Sequence, residues 1–267
     1  MLNNIADVLR NVREKTPLVQ AITNYVTIND CANILLCFGA SPAMCEAKTE
    51  VEDFVGLISA LYINIGTLNE EQKEAAVLAA RKASALNKPV VLDPVACGAI
   101  PRKMEVIKEL LDVAKISVIK GNTGEIKFLA GHAGKVRGVD SIDDGQGAVE
   151  ACRTLARRYS TVVVATGEAD IITDGERACL VHNGTRMLTM ITGAGCMAGA
   201  LTAAAAGVSA DKYVSSAAAI LAMGLAGEMA ANSLEKDLPG TFRARLFDYM
   251  YNIREYDILN RGKIQCL

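Results

Sequence analysis

The chain has 267 residues, of which 51% are hydrophobic and 4% aromatic; tryptophan is absent and the net charge is −2. That length buries a large core and suits a single α/β domain over 1–267 rather than two. A near-neutral balance without a sustained basic run excludes nucleic acid as a partner class. Eight scattered cysteines form no CxxC and no Cys/His cluster. Without a signal peptide they read as reduced thiols of a cytoplasmic protein.

Asn3 to Lys15 places Ile5, Val8, Leu9 and Val12 at helical spacing with charges between them, which predicts an opening amphipathic helix. Leu18 to Ile22 is a short apolar run ending in Thr23-Asn24-Tyr25-Val26-Thr27. Asn29 or Asp30 is then expected to cap a helix over Cys31 to Phe38, stopped by Gly39, with Ser41-Pro42-Ala43-Met44 as a loop. Ala60 to Ile65 reads as a strand, and Asn69 to Gln72 opens a helix running to about Leu86. Pro89 to Pro94 is a buried strand with Asp93 at its carboxyl end. Helix 101–113 follows, then a strand Ile116 to Ile119 that runs out into Lys120-Gly121-Asn122, and Thr123-Gly124-Glu125 leads into another helix. Gln146 to Tyr159 is helical, Thr161 to Ala165 a strand ended by Thr166-Gly167. Ile171–Thr173 and Ala178–His182 form a hairpin around Asp174-Gly175. The last helices cover about 196–207, 211–232 and 241–254.

Two uncharged stretches, Leu188 to Ala210 and Tyr213 to Gly227, are long enough to attract a membrane reading. Their glycine, alanine, serine and threonine content fits closely packed interior helices instead, so no membrane is expected. The β–α alternation with valine- and isoleucine-rich strands predicts an α/β fold: a mostly parallel central sheet with helices on both faces.

Ligands of such sheets bind beyond the carboxyl ends of the strands, where the polar clusters of this chain fall. Thr192-Gly193-Ala194-Gly195-Cys196 turns tightly into an alanine-rich helix, so backbone N–H groups and the positive helix end converge as an anion hole. Cys196 at that entrance is placed where a thiol's pKa should fall; a small core residue is the plainer role. Asp93 and Glu125 are hard oxygen donors of the kind Mg²⁺ prefers. Equally, Asp93 suits a capped turn before Pro94, and Glu125 a first-turn carboxylate facing a helix dipole. Lys120 is a cation for phosphate or a salt-bridge partner of Glu125. Thr166-Gly167-Glu168 offers a hydroxyl or N–H to a nucleotide, or a turn. His132 and His182 are given no role.

Asp93-Pro94-Val95, Lys120 to Glu125, Thr166-Gly167-Glu168 and Gly193 to Cys196 together resemble the ribokinase-like superfamily of small-molecule kinases. Ala21-Ile22-Thr23-Asn24-Tyr25-Val26-Thr27 and Gly39-Ala40-Ser41-Pro42-Ala43-Met44 narrow the resemblance to the hydroxyethylthiazole kinases, across essentially the whole chain. The resemblance implies a ribokinase-like fold and ATP-dependent phosphorylation of 4-methyl-5-(2-hydroxyethyl)thiazole at its hydroxyl, a thiamine salvage step. It further implies a homotrimer with sites at the subunit interfaces. Carried onto this chain, Met44, Gly193 and Asn24 would meet the thiazole, Lys120 and Thr166 the ATP, and Asp93 and Glu125 the Mg²⁺. The backbone from Gly193 to Cys196 would form the anion hole.

The chain departs from the pattern at Lys120, where relatives often carry arginine, at Gln20 (histidine) and at Cys45 (alanine). Most of the superfamily has an aspartate base where Cys196 stands, but the thiazole kinases share the cysteine. Cys196, Asp93 and the substrate phosphate all remain candidate proton acceptors. A kinase of hydroxymethylpyrimidine or pyridoxal, an ATP-dependent dehydratase of hydrated nicotinamide nucleotides, and a non-catalytic nucleotide sensor are the rival readings.

Overall fold

Residues 1–131 and 146–267 are described by the computed structural model; His132 lies outside them. The order is α1 (Leu2–Lys15), β1 (Leu18–Ile22), α2 (Ile28–Phe38), β2 (Ser41–Ala43), α3 (Val51–Val55), β3 (Ala60–Asn64), α4 (Glu70–Ala85) and β4 (Val90–Asp93). Next come α5 (Pro101–Val113), β5 (Val118–Asn122), α6 (Thr123–Leu129), α7 (Gln146–Tyr159), β6 (Val162–Thr166), β7 (Asp170–Thr173) and β8 (Ala178–Val181). A 3-10 turn (Arg186–Met190) precedes α8 (Ala194–Val208), α9 (Lys212–Asn232), α10 (Pro239–Asn252), α11 (Glu255–Arg261) and β9 (Ile264–Cys266).

The strands form one sheet in the order β2-β1-β3-β4-β5-β6-β7-β8-β9. Pairs from β2 through β6 are parallel; β6 through β9 pair antiparallel. Side chains alternate across a strand, so the sheet divides two apolar layers. Ala60, Tyr62, Val91 and Val118 face the layer of α1, α2, α8, α9 and α10. Leu61, Ile63, Leu92 and Ile119 face the layer of α4 to α7. The expected mostly parallel sheet with helices on both faces is the one observed.

Several local expectations are corrected. The 41–44 segment is not all loop: Ser41–Ala43 is an edge strand beside Leu18–Gln20. Proline is tolerated there because an edge strand leaves one side of its backbone unpaired. Thr27, not Asn29 or Asp30, is the N-cap of α2. Gly39 does stop that helix, in the left-handed region at φ 101°. The strand expected at 116–119 sits at Val118–Asn122, so Lys120 lies within it rather than beyond it. α3, α11 and β9 are too short to show a period in the sequence.

Among the described residues one helix, α9, is long and apolar enough to cross a membrane, but 83% of its most apolar window is buried inside the protein. It packs against α8, α10 and α1. Leu188 to Ala210 is no single helix: it breaks into the 3-10 turn, the Gly193 loop and α8.

Candidate active site

Strand alternation assembles the site. Tyr62 and Asn64 of β3, Asp93 of β4 and Lys120 of β5 share the parity of Ala60, Val91 and Val118, hence the face covered by α8. All four are buried, and they meet the first turn of α8. That helix lies flush on the sheet because position 199 is glycine. A Cβ there would stand 2.6 Å from the Tyr62 hydroxyl oxygen. Its mouth is opened by Gly193, the N-cap, at φ 86°. A Cβ at Gly193 would sit 2.5 Å from Thr27 Cγ2, so glycine is required on both conformational and steric grounds.

Cys196 is half-buried in the first turn of α8. Its Sγ receives N–H groups from Asn24 Nδ2 and Asn64 Nδ2, each at 3.3 Å. The orientation of Asn24 is fixed from behind, since its Oδ1 accepts from the Thr27 N–H and hydroxyl, both at 3.1 Å. Its Nδ2 is thereby turned toward Asn64 Oδ1 (3.0 Å) and the sulfur. Asn64 also donates to the Tyr62 hydroxyl at 3.0 Å. The one phenolic proton then points at Asp93 Oδ2 or at the Cys196 carbonyl, both 3.0 Å away. Sequence reasoning passed over Tyr62 and Asn64. The signal was present: polar groups two residues apart in an otherwise apolar strand, ending beside Asp93.

Lys120 Nζ lies 3.5 Å from Asp93 Oδ2, with both side chains almost wholly enclosed. The expected alternative, a Lys120 salt bridge to Glu125, does not form; Asp93 is the partner. A Cβ on Gly195 would come 3.2 Å from Lys120 Nζ, which puts the ammonium directly under the helix mouth. Helix dipole and ammonium thus reinforce one another at a single point, and no acidic residue occupies the first turn of α8. Burial raises the Asp93 carboxyl above its ordinary value and nearby Glu125 adds to this, while Lys120 and the Tyr62 hydrogen bond pull it down. Burial likewise lifts the Tyr62 phenol well above its usual range, so it serves as a neutral donor.

Glu125 has both oxygens engaged: Oε1 accepts from the Ala96 N–H (2.7 Å) and Oε2 from the Asn122 N–H (2.8 Å). It completes a capping box at the start of α6, the first-turn role the sequence allowed. Thr166 Oγ1 donates to the Gly121 carbonyl at 3.3 Å. Met44 is not among the hydrogen-bonded groups; it follows the edge strand β2 and packs, half-buried, on the α8-side core. His182 is exposed, with Nε2 3.4 Å from Gln265 Oε1.

A cavity of about 860 Å³ opens from the helix mouth. Gly193, Ala194 and Gly195 of that mouth line it together with Thr166, Gly167, Asp170, Asn183, Ile220 and Met223. Its size suits a nucleotide. A second hollow, about 890 Å³, lies at the opposite ends of the strands around Lys88, Lys115 and Arg157. None of the sequence-predicted residues lines it.

Asp170 carries a consequence for stability. Burial pushes its carboxyl from 3.8 up to about 6, against the opposing pulls of the Gly167 N–H and Lys120. The folded state therefore holds this proton more tightly than the unfolded state. Its contribution is favourable at pH below about 4 and is lost as pH rises through about 6. Asp170→Asn keeps an acceptor for the Gly167 N–H, 3.0 Å away. Urea unfolding should show the variant more stable at pH 7 by on the order of 2 kcal/mol, and indistinguishable from the parent near pH 4. Equal stability at both pH values would show that Asp170 stays solvated.

The hydroxyethylthiazole kinase family model matches residues 9–256. Hydroxyethylthiazole kinase 1 of Clostridium botulinum (strain Hall) is 57% identical over 97% of this chain and 98% of its own length. Hydroxyethylthiazole kinase of Desulfitobacterium hafniense is 55% identical over the full length of both chains. The solved hydroxyethylthiazole kinase of Pyrococcus horikoshii is 38% identical and superimposes at a TM-score of 0.91, covering 98% of each chain. Pyridoxal kinase of Bacillus subtilis in its ADP complex, 17% identical at a TM-score of 0.57 over 79% of this chain and 91% of its own, shares the fold alone. With a family match over most of its length and relatives this similar end to end, the chain is an enzyme of the hydroxyethylthiazole kinase family, on a ribokinase-like fold.

Proposed function

We propose that the chain, as one kinase domain over 1–267, transfers the γ-phosphoryl group of ATP to the hydroxyl of 4-methyl-5-(2-hydroxyethyl)thiazole in thiamine salvage. The observation that supports this most is the convergence of Lys120, Asp93, Cys196 and the α8 N-terminus on one point beside a nucleotide-sized cavity. Phosphoryl transfer demands mainly positioning and neutralisation of charge on the moving group.

ATP occupies the cavity with Thr166 beside it, and its terminal phosphates meet the N–H groups of Gly193 to Cys196 with the Lys120 ammonium close by. The thiazole lies on the other side of the helix mouth, against Asn24, Gly193 and Met44. Its hydroxyl meets Cys196 Sγ. The hydroxyl oxygen forms a bond to phosphorus as the bond to the ADP oxygen breaks. The proton leaves late, and Cys196 holds the hydroxyl and contributes to its removal. Asp93 is less suited, being enclosed by Tyr62 and Lys120.

Asp93 and Glu125 fit Mg²⁺ of the kind that keeps its water and binds chiefly to phosphates. Each Glu125 oxygen takes a single N–H, which leaves lone pairs for a metal-bound water. Bound there, Mg²⁺ would neutralise charge on the phosphates. No group of three or more metal-ligating side chains occurs among the described residues, in keeping with an ion that arrives with its nucleotide.

Tyr25 and Val26 are 71% and 55% exposed immediately after Asn24. Apolar side chains beside a site suit a subunit contact, and the proposed assembly is a cytoplasmic homotrimer with sites between subunits. Product identification from ATP, Mg²⁺ and a mixture of the thiazole alcohol, hydroxymethylpyrimidine and pyridoxal tests the reading, with the same preparation sedimented at assay concentration. The thiazole phosphate should dominate and the active species should sediment as a trimer. Equal turnover of the pyrimidine, or an active monomer, would overturn the corresponding part.

A further inference from the structure

Cys179 and Cys266 stand directly opposite each other in the β8–β9 ladder. Leu267 N–H donates to the Ala178 carbonyl and His182 N–H to the Lys263 carbonyl, each at 2.9 Å. Both bonds join directly opposed residues, so 178/267 and 182/263 are hydrogen-bonded pairs. Alternation along an antiparallel ladder makes Cys179/Cys266 a non-hydrogen-bonded pair, the class whose Cα atoms approach to about 4.5 Å. That separation lies within the range of roughly 4.4–6.8 Å a disulfide spans. Opposed side chains share a face. Cys179 is wholly buried in the α8–α9 layer, and Cys266 Sγ lies 3.6 Å from Met1 Sδ, which packs on the same layer. β9 is the edge of the sheet, paired on one side only, so it has freedom to adjust as the bridge closes.

We propose that Cys179 and Cys266 form a reversible cross-strand disulfide, an oxidation site separate from the kinase centre. The oxidant is a small-molecule disulfide. The exposed Cys266, as thiolate, attacks one of its sulfurs, forming a mixed disulfide and releasing the first thiol. Cys179, as thiolate, then attacks the Cys266 sulfur and displaces the bound half as the second thiol. The two protein protons end on the two released thiols, and the oxidant takes the two electrons. Burial pushes the Cys179 thiol up to about 11, despite its hydrogen bond with Tyr213. The second step therefore accelerates with rising pH, and the exposed Cys266, not the buried Cys179, makes the first attack.

The bridge would reach the cavity wall. Lys263, just before β9, donates its backbone N–H to Asn183 Oδ1 at 2.6 Å. Asn183 Nδ2 donates to the Arg261 carbonyl at 3.0 Å, and Asn183 with Gly184 lines the cavity. Tying β9 to β8 covalently holds this wall in place, because detachment of β9 would draw the Lys263 N–H away from Asn183 Oδ1 and leave Asn183 to Glu228 and Arg261.

The test uses the whole protein exposed to oxidised glutathione at pH 7 and pH 9, quenched by alkylation and mapped as peptides by mass spectrometry. The expected product is a 179–266 cross-linked peptide, formed faster at pH 9, abolished by Cys266→Ser and reversed by dithiothreitol. Amide exchange over 264–266 should slow by roughly tenfold or more in the oxidised form, as closing a long loop predicts. Stable glutathionylation of Cys266 with Cys179 still free would overturn the proposal. So would a Cys266 cross-link to another cysteine, or no reaction at either pH.

Discussion

Lys120→Met is expected to lower kcat by roughly 10²–10³-fold, the range for loss of one donor aimed at developing charge. Methionine keeps the length and apolar stem and removes the ammonium under the α8 mouth. The same change leaves Asp93 buried without its cation. Breaking a buried ion pair costs about 3–5 kcal/mol, and Asp93 limits that loss by taking up a proton, since burial already raises its carboxyl. The sign follows: a carboxylate with a raised folded-state value contributes stability at low pH that is lost as pH rises. The variant should thus be closest to the parent in acid and fall away toward neutrality in urea unfolding. Adding Asp93→Asn should restore most of the stability and none of the turnover. Full activity in Lys120→Met would remove Lys120 from the phosphate site, and a double variant as unstable as the single one would refute the ion-pair account.

Cys196→Ala should cost about 10²-fold in kcat, with a smaller change in KM for ATP. The lower end of the range for a lost proton acceptor applies, because the N–H groups of α8 and the Lys120 ammonium survive the substitution. Cys196→Asp should remain active. A carboxylate at this position would accept the same two amide N–H groups, from Asn24 and Asn64, that the sulfur now accepts. The comparison separates chemistry from packing: steady-state kinetics with unchanged kcat in the alanine variant would leave Cys196 as a filler of the first helical turn.

The layered fold was legible because its signals are long-range and redundant. Buried strands and amphipathic or alanine-rich helices alternate over most of the chain, and the ends of β4, β5 and β6 carried their polar residues in view. The elements that escaped are those that tertiary contacts create. Ser41–Ala43 becomes a strand only because Leu18–Gln20 lies alongside, and β9 only because β8 offers an edge. Thr27 is of an N-cap type, but so are Asn29 and Asp30 close by, and it caps α2 without a side-chain hydrogen bond to the helix backbone. Its hydroxyl is spent instead on orienting Asn24. At the site, Asp93 and Lys120 were visible as charges at strand ends, whereas their pairing depends on β4 lying beside β5. Tyr62 and Asn64 were hidden by the expectation that a central strand is all core.

The pleat of the sheet imposes a parity rule on change within this family. Tyr62, Asn64, Asp93 and Lys120 reach α8 because each sits an even number of residues from a neighbour on that face. A residue inserted or deleted within β3, β4 or β5 would turn every downstream member of that strand toward the α4–α7 layer. A carboxylate or ammonium would then be buried among apolar helices while a leucine or isoleucine (Leu92 or Ile119 after a one-residue insertion) faced the helix mouth. Point substitutions on the far layer leave the parity intact, so that layer is free to drift in side-chain detail while strand lengths stay locked. The lengthening and shortening of such chains is confined by the same rule to the connections outside the strands.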